Sequence, residues 1–275
     1  MSRGTGTSTG TGGGSGERLL AIFDLFSEER PEWSSQELIQ RLGYSRPTLY
    51  RYLKLLKGAG FLMALPGGGF AIGPRVVELD YLMRRSDPLV EAARPHLAEL
   101  AGRFPGTAFL ARWYGTKLLC VASETRDPAP RSSYPRGRPM PLVRGAAAKA
   151  ILAHLPRRQQ QRLVAGHAAA FAATGLGNSE DAALQALRGI RRAGYAHARG
   201  EVTPGLVGTA AAILDAGRIP LAALCLSMPE AAHAKLDSDA LARAISTAAA
   251  AIANALNADE ASAPQALPEF AETRP

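Results

Sequence analysis

Basic side chains without an acidic neighbour are concentrated in SRPTLYRYLKLLKGAGF, residues 45–61. A solvated helix face normally carries both signs of charge, so this excess of cations indicates a negatively charged partner. Lysine and arginine bind the phosphates of nucleic acids, and serine, threonine and tyrosine hydroxyl groups add hydrogen bonds to phosphate oxygens. The segment therefore predicts binding to double-stranded DNA.

Helical periodicity places the apolar residues and the cations of this segment on neighbouring faces of one helix. The face predicted to be buried contains Leu49, Tyr52, Leu53 and Leu56. The residues predicted to face DNA are Arg46, Tyr50 and Lys54. Lys57 lies on the same polar face, where simple solvation is an alternative, and Arg51 lies slightly outside it.

Hydroxyl residues stand at the starts of two predicted helices. Ser34 and Glu37 match the S-x-x-E capping box, so helix capping is the first role of Ser34 and its neighbour Ser35, and DNA contact is the second. Ser45 and Thr48 stand at the start of the basic helix. For both of them, phosphate binding and plain capping are alternatives.

The elements around the basic helix predict a winged helix-turn-helix over residues 17–73. ERLLAIFDLF has the spacing of an amphipathic helix, and Gly43 is expected to end the capped helix that follows. FLMALPGGGFAIG then predicts a β-hairpin, which would be the wing. A small helical bundle with a merely solvated basic face is the alternative.

Two low-complexity ends and one apolar helix complete this outline. Residues 1–16 are predicted to be a flexible Gly/Ser/Thr arm, and residues 258–275 a disordered tail rich in Ala, Pro and Glu. Residues 74–86 are predicted to form a linker helix. That helix is too apolar to remain solvated, so we expect it to bury its apolar face against its counterpart in a dimer.

Residues 87–257 predict a second domain of the α+β class. The pattern of elements is α-β-β-loop-α-α-β-β-α, which favours an antiparallel sheet covered by helices. The five histidines have no metal-ligand spacing, and neither a G-x-S-x-G motif nor a phosphate-binding loop is present. We therefore expect no metal, no cofactor and no enzyme activity; Cys225 could be a nucleophile, but a buried structural thiol is favoured.

The composition of the chain agrees with a folded protein that binds a polyanion. The chain has 275 residues, a 47% hydrophobic content and a net charge of +8, which suit a folded protein with a polyanionic partner. Both cysteines, Cys120 and Cys225, lie in apolar runs and are expected to be reduced thiols of a cytoplasmic protein. No apolar run approaches the ~18 residues that span a bilayer, so no membrane partner is expected.

Three blocks of the sequence resemble the IclR family of bacterial transcription regulators, together covering about residues 17–257. The first runs from ERLLAIFDLF through SSQELIQRLGYSRPTLYRYLKLLKGAGFL to FAIGPRVVELDYL. The second is GRPMPLVRGAAAKAILAHLP, and the third is LRGIRRAGYAHARGEVTPGLVGTAAAILDAGRIPLAALCLSMP. The resemblance implies that Arg51 matches a family arginine that touches DNA phosphate or a base edge. It also implies a GAF-like effector-binding domain over residues 87–257 and assembly as a homodimer or homotetramer.

The resemblance further implies a small-metabolite effector, often an organic or aromatic acid. Arg144 and Gly145 open a predicted helix whose free N–H groups suit a carboxylate. Cys225 and Ser227 alternate to one face of a predicted strand and can point inward together. The remaining expected pocket residues are Met140, Ala146, Ala147, Ala198 and Gly208. For the alanines, simple helix packing is the alternative, and the direction of the Arg144 side chain is left open.

The function expected from the sequence is that of a ligand-responsive DNA-binding regulator, acting as an oligomer on a catabolic operon. An enzyme that uses the C-terminal pocket is one alternative. An architectural DNA-binding protein, whose second domain serves only assembly, is the other.

Overall fold

The computed structural model describes residues 14–127 and 134–262. It divides into two compact units, Met1–Ser86 and Asp87–Pro275. Most of the predicted arm and the last part of the predicted tail, residues 263–275, lie outside the described residues.

The N-terminal unit has the elements of a winged helix-turn-helix. Its helices are α1 (Ser15–Leu20), α2 (Ser35–Leu42), α3 (Arg46–Gly58) and α4 (Arg75–Arg85), with a 3₁₀ turn at Phe23–Leu25. Its strands are β1 (Trp33–Ser34), β2 (Leu62–Ala64) and β3 (Gly69–Ile72). The strands form an antiparallel sheet in the order β1-β3-β2, so β2 and β3 make the expected hairpin.

The first helix differs from its prediction at both ends. It starts at Ser15, inside the predicted arm, where the Glu17 carboxylate accepts a 3.0 Å hydrogen bond from the N–H of Gly14. It ends at Leu20, although the apolar spacing predicted a helix to Phe26. The indole N–H of Trp33 donates to the Leu25 carbonyl at 2.9 Å, and the chain there tightens into the 3₁₀ turn.

The two helices of the helix-turn-helix follow the sequence pattern. The Ser34 hydroxyl accepts from the N–H of Glu37 at 3.3 Å, while the Glu37 carboxylate accepts from the N–H of Ser34 at 2.9 Å. This confirms the capping box. Gly43 then ends α2 with φ of 66°, a left-handed conformation that glycine adopts without strain. The predicted buried face of α3 is confirmed: Leu49, Tyr52, Leu53 and Leu56.

The C-terminal unit is an α+β domain built on one six-stranded sheet. Its strands are β4 (Thr107–Trp113), β5 (Leu118–Thr125), β6 (Pro139–Met140), β7 (Ala196–Arg199), β8 (Leu206–Leu214) and β9 (Pro220–Pro229). Its helices are α5 (Pro88–Arg103), α6 (Ala146–His154), α7 (Arg157–Gly166), α8 (Ala168–Ala173), α9 (Glu180–Ala193), α10 (Glu230–His233) and α11 (Ser238–Ser262). The strand order is β6-β5-β4-β9-β8-β7, and every neighbouring pair is antiparallel.

Side-chain alternation divides the core between the two faces of this sheet. Phe109 on β4 and Cys225 on β9 pack on the face that is covered by α6 and α9. Leu110 and Leu224, one residue away on the same strands, pack on the opposite face against α5 and α11. The sheet is therefore buried on both sides, and its central strands are held by neighbours at each edge.

Several short elements were missing from the predicted order. They are α7, α8, α10, β6 and β7. The α7 helix buries only Gln160 and Val164, so it lacks the apolar stripe that reveals a helix. The final helix, α11, reaches Ser262 and so enters the predicted tail, because no proline interrupts the chain before Pro264.

Candidate functional site

The polar face of α3 is exposed along its whole length. Arg46, Tyr50, Arg51 and Lys54 form what we call the basic face, and all four side chains are exposed. Within residues 14–127 and 134–262, no carboxylate pairs with a cation of this face. Their positive charge is therefore not neutralised by any side chain of the described residues. The buried side chains on the other side of α3 hold the helix in place beneath them.

The predicted hydroxyl residues are partly engaged within the unit. The Ser34 hydroxyl donates to the Glu37 carboxylate at 2.7 Å, so capping accounts for it. Ser35 lies 3.4 Å from the Tyr50 hydroxyl and joins the start of α2 to the basic face. Ser45 occupies the predicted N-cap position of α3, but its hydroxyl donates to Thr48 Oγ1 at 2.9 Å and makes no hydrogen bond to a backbone N–H of the helix. The N-cap position is thus confirmed, whereas capping by the hydroxyl group is not observed.

The predicted effector residues come together around one cavity in the C-terminal unit. We call it the α6 cavity, because the first turn of α6 forms one wall. The predicted residues that line it are Met140, Arg144, Gly145, Ala146, Ala147, Ala198, Gly208, Cys225 and Ser227. The lining residues that sequence reasoning missed are Phe109, Tyr134, Glu201, Val202, Thr203 and Leu206. The free space between these walls is about 40 Å³.

Small residues let α6 approach the sheet closely. A Cβ atom on Gly208 of β8 would lie 3.4 Å from the Cβ of Ala146, so a larger side chain there would push the helix away. Gly145 has φ of 88°, and a Cβ atom on it would lie 2.9 Å from a methyl group of Val202. The glycine and alanine composition of this region is therefore required by packing as well as by the cavity.

A glutamate of the protein occupies the position that was predicted for a ligand carboxylate. The N–H of Gly145 donates to Glu201 Oε2 at 2.9 Å. The other oxygen of Glu201 pairs with Lys149, and the two side chains are only 13% and 7% exposed. Lys149 also donates to the Thr174 carbonyl at 3.2 Å. The expectation that the N–H of Gly145 is free for a ligand is therefore wrong.

An aromatic side chain lines the cavity beside Phe109. The ring of Tyr134 stacks on Phe109 with a centroid distance of 4.0 Å and an interplanar angle of 12°. Its hydroxyl lies 3.3 Å from Ser227 Oγ. The lining of the cavity thus includes a phenol and a serine hydroxyl in contact with each other, and the exposed Arg144 is another of its residues.

The two thiols behave as neutral core groups. Burial raises the pKa of Cys120 to about 11, and its thiol donates to the Tyr134 carbonyl at 3.1 Å. Burial also raises the pKa of Cys225, and the neighbouring Cys120 adds a smaller effect in the same direction. Because a thiolate is needed for nucleophilic attack, this environment favours the structural interpretation of Cys225.

The described part of the chain contains no group of three or more His, Cys, Asp or Glu side chains arranged to hold a metal ion. None of its helices combines the length and the hydropathy that crossing a bilayer requires.

A winged helix-turn-helix with an exposed basic face, followed in the sequence by an α+β domain with a small cavity, defines a transcription regulator with an effector domain. Residues 15–66 match the IclR helix-turn-helix domain, and residues 82–254 match the bacterial transcriptional regulator IclR C-terminal domain. The chain belongs to the IclR family of transcription regulators.

Known proteins of this family resemble the chain in sequence and in fold. It is 28% identical over 184 residues to the HTH-type transcriptional regulator XynR of Escherichia coli K12, covering 66% of this chain and 73% of XynR. An IclR homologue from Microbacterium hydrocarbonoxydans, crystallised with 4-hydroxybenzoate, superimposes with a TM-score of 0.71 at 20% identity, covering 89% of this chain and all of that one. A regulator from Alicyclobacillus acidocaldarius gives the same TM-score, with 88% and 98% covered.

Proposed function

We propose that this protein is a homo-oligomeric regulator of a catabolic operon, and that a small organic or aromatic acid in the α6 cavity changes its affinity for operator DNA. The observation that carries the proposal is that one cavity gathers every effector residue predicted from the sequence. The 4-hydroxybenzoate bound to the Microbacterium homologue supports an aromatic acid as the effector. Because its partner is DNA, the regulator would act in the cytoplasm.

DNA binding in this proposal depends on the basic face of α3. Arg46, Arg51 and Lys54 would contact phosphates or base edges in the major groove, and Tyr50 would add a hydroxyl. Thr48 and Ser35 lie beside these residues and can donate to phosphate oxygens. Ser34 and Ser45 already bond within the unit, so their contribution would be indirect.

Assembly in this proposal depends on α4. No residue of this helix is buried in the single chain. Its exposed large apolar side chains are Val76, Val77, Tyr81, Leu82 and Met83. Pairing with the same helix of a second chain would remove this apolar surface from water. A dimer would also present two basic faces to two half-sites on DNA.

The effector in this proposal carries its charge toward Arg144. Because Glu201 already bonds to the N–H of Gly145, a second carboxylate there would meet a like charge. Arg144 lines the cavity and is exposed, so its guanidinium can meet an acid group at low desolvation cost. The apolar body of the ligand would then lie against Met140 and Ala147.

The test is an operator-binding titration in the presence of single acids. Operator DNA, found by footprinting upstream of the gene, is titrated with the full chain while benzoate, 4-hydroxybenzoate or pyruvate is held at millimolar concentration. The proposal expects one of these acids to shift the DNA dissociation constant and to raise the melting temperature. Binding of DNA that no organic acid changes would favour the architectural alternative, and turnover of the acid would favour an enzyme.

A further inference from the structure

Tyr134 lies in the α6 cavity in the way that a bound phenol would lie. Its side chain is buried, with 9% exposed, and its ring is stacked on Phe109 at 4.0 Å. Its hydroxyl is 3.3 Å from Ser227 Oγ, a strand residue that also lines the cavity. The ring therefore has the two contacts that fix a small aromatic ligand: a stacking partner and a polar group at one end.

The space that remains beside Tyr134 is too small for a second ring. The cavity has about 40 Å³ free, whereas an engineered cavity that binds benzene measures about 150 Å³. Natural ligand pockets are larger still, at roughly 300–1,000 Å³. An aromatic effector can enter only if one of the lining side chains moves away.

The other aromatic side chain that lines the cavity, Phe109, is only 2% exposed and packs within the core of this unit. Phe109 lies on β4, which is hydrogen-bonded to β5 on one side and to β9 on the other. Cys225, on β9, is held between β4 and β8 in the same way. Tyr134 lies outside the strands, and its carbonyl oxygen accepts a 3.1 Å hydrogen bond from the Cys120 thiol. Rotation of its side chain leaves that anchor intact.

We propose that the Tyr134 side chain is a resident occupant of the α6 cavity, and that an effector ring binds by displacing it. The vacated place offers a flat apolar wall at Phe109 and a hydroxyl at Ser227, so it selects a single-ring phenol. The inference rests on the proposed use of this cavity as the effector site. Displacement also lowers the apparent affinity, because only the fraction of molecules with the ring outside can bind.

The experiment uses p-cresol, which is the tyrosine side chain as a free molecule, and toluene, which is the same molecule without the hydroxyl. Calorimetry measures both probes with the wild-type chain, Tyr134→Ala and Tyr134→Ala/Ser227→Ala. Removal of the tyrosine ring in Tyr134→Ala is expected to raise the affinity for p-cresol about tenfold or more. Tyr134→Ala should prefer p-cresol over toluene, and the added Ser227→Ala should abolish that preference. Tyr114→Ala, which removes an exposed tyrosine of the same unit, should bind p-cresol like the wild type.

A second substitution keeps the proposal testable if Tyr134→Ala does not fold. Tyr134→Phe keeps the ring and removes only the hydroxyl contact to Ser227, so p-cresol affinity should rise about fivefold, as expected from one lost hydrogen bond. If every folded Tyr134 variant binds p-cresol no better than the wild type, Tyr134 is a wall of the site and the inference is overturned.

Operator affinity measured with and without ligand distinguishes this inference from the proposed function. An acid that shifts operator affinity equally in the wild type and in the Tyr134 variants would overturn the displacement alone. Tight p-cresol binding to Tyr134→Ala, with no effector that changes operator affinity, would overturn the proposed function and support the displacement.

Discussion

The Glu201 carboxylate accepts a 2.9 Å hydrogen bond from the backbone N–H of Gly145, and it places a negative charge at the first turn of α6. A helix N-terminus carries partial positive charge, which an acid ligand or an acidic side chain can neutralise. In this protein the acidic side chain is internal and is paired with the buried Lys149. One N–H group at the helix start is therefore satisfied before any effector arrives.

Removing that carboxylate should strongly destabilise the effector domain. Glu201→Ala leaves the Lys149 ammonium buried without its partner, and such a change costs about 3–5 kcal/mol. Urea unfolding, followed by circular dichroism, measures the loss. Glu230→Ala is the matched control, because it breaks the exposed pair with Arg199 and should cost less than about 1 kcal/mol. Equal losses in both variants would show that burial of the pair is unimportant.

A larger side chain in the first turn of α6 should block the effector without affecting DNA binding. Ala147→Leu fills part of the cavity, and overpacking of this kind costs about 1–3 kcal/mol of stability. Any acid that raises the melting temperature of the wild type should then have no effect. Ala150→Leu is the control, since Ala150 is buried on the same helix but does not line the cavity. A normal response in Ala147→Leu would place the effector site elsewhere.

Loss of one basic side chain on α3 should weaken DNA binding. Arg51→Ala is expected to cost about 1–3 kcal/mol of binding free energy, the range for an arginine that reads a base edge. Fluorescence anisotropy with operator DNA measures the change. Affinity should also fall steeply as the salt concentration rises, because lysine and arginine side chains that bind DNA phosphates displace counterions from the DNA. Arg162→Ala removes an exposed arginine of the other unit and should bind as the wild type does. Salt-independent binding would contradict the assignment.

A charge on the exposed apolar face of α4 should prevent the proposed assembly. Val77 is 72% exposed in the single chain, and burying it against a second chain would become unfavourable in Val77→Glu. Sedimentation velocity at micromolar concentration should show a smaller species than the wild type. Ile219→Glu puts the same charge on an exposed apolar residue of the C-terminal unit and should leave the sedimentation coefficient unchanged. A wild-type chain that is already monomeric would refute this assembly.

Stability should decline as the pH falls below neutrality, because His154 resists protonation in the folded chain. Burial lowers its pKa to about 4, and the nearby Arg191 and Arg218 act in the same direction. Burial likewise lowers the pKa of His197 and His233. The unfolded chain therefore binds more protons, so stability is fully present above pH 6.5 and is lost as the pH falls toward 4.

The measurement for this pH effect is the melting temperature at half-unit steps between pH 8 and pH 4. His154→Gln removes the titrating group, so its melting temperature should fall less over this window than that of the wild type. At pH 8 both side chains are neutral, and the difference measured there corrects for altered packing. Parallel curves down to pH 4 would show that His154 does not cause the decline.

Local patterns in the sequence were enough to predict the DNA-binding half of the fold. The buried face of α3 follows from a 3.6-residue period, and the capping box at Ser34 involves residues three positions apart. The first helix was predicted too long. The hydrogen bond to the Leu25 carbonyl, where the chain forms a 3₁₀ turn instead, is donated by Trp33, which lies outside the periodic segment.

Contacts in the α6 cavity join residues that are distant in the sequence, and they leave no local pattern. Gly145 and Glu201 are 56 positions apart, and Tyr134 and Ser227 are 93 positions apart. The predicted lining residues came from the family resemblance, which supplied positions but no role for Glu201 or Tyr134. Glu201 lies in the quoted family block GEVTPG, and that block was the available signal for it.

Both native cysteines lie in the core, where a chemical probe cannot reach them while the chain stays folded. Thiol-specific dyes and spin labels should therefore not react with Cys120 or Cys225, and neither cysteine needs to be replaced before labelling. A single cysteine introduced at an exposed position can carry the only label in an otherwise native chain. In a dimer of such chains, with the label placed on α3, the distance between the two labels would give the separation of the two α3 helices before and after an effector is added.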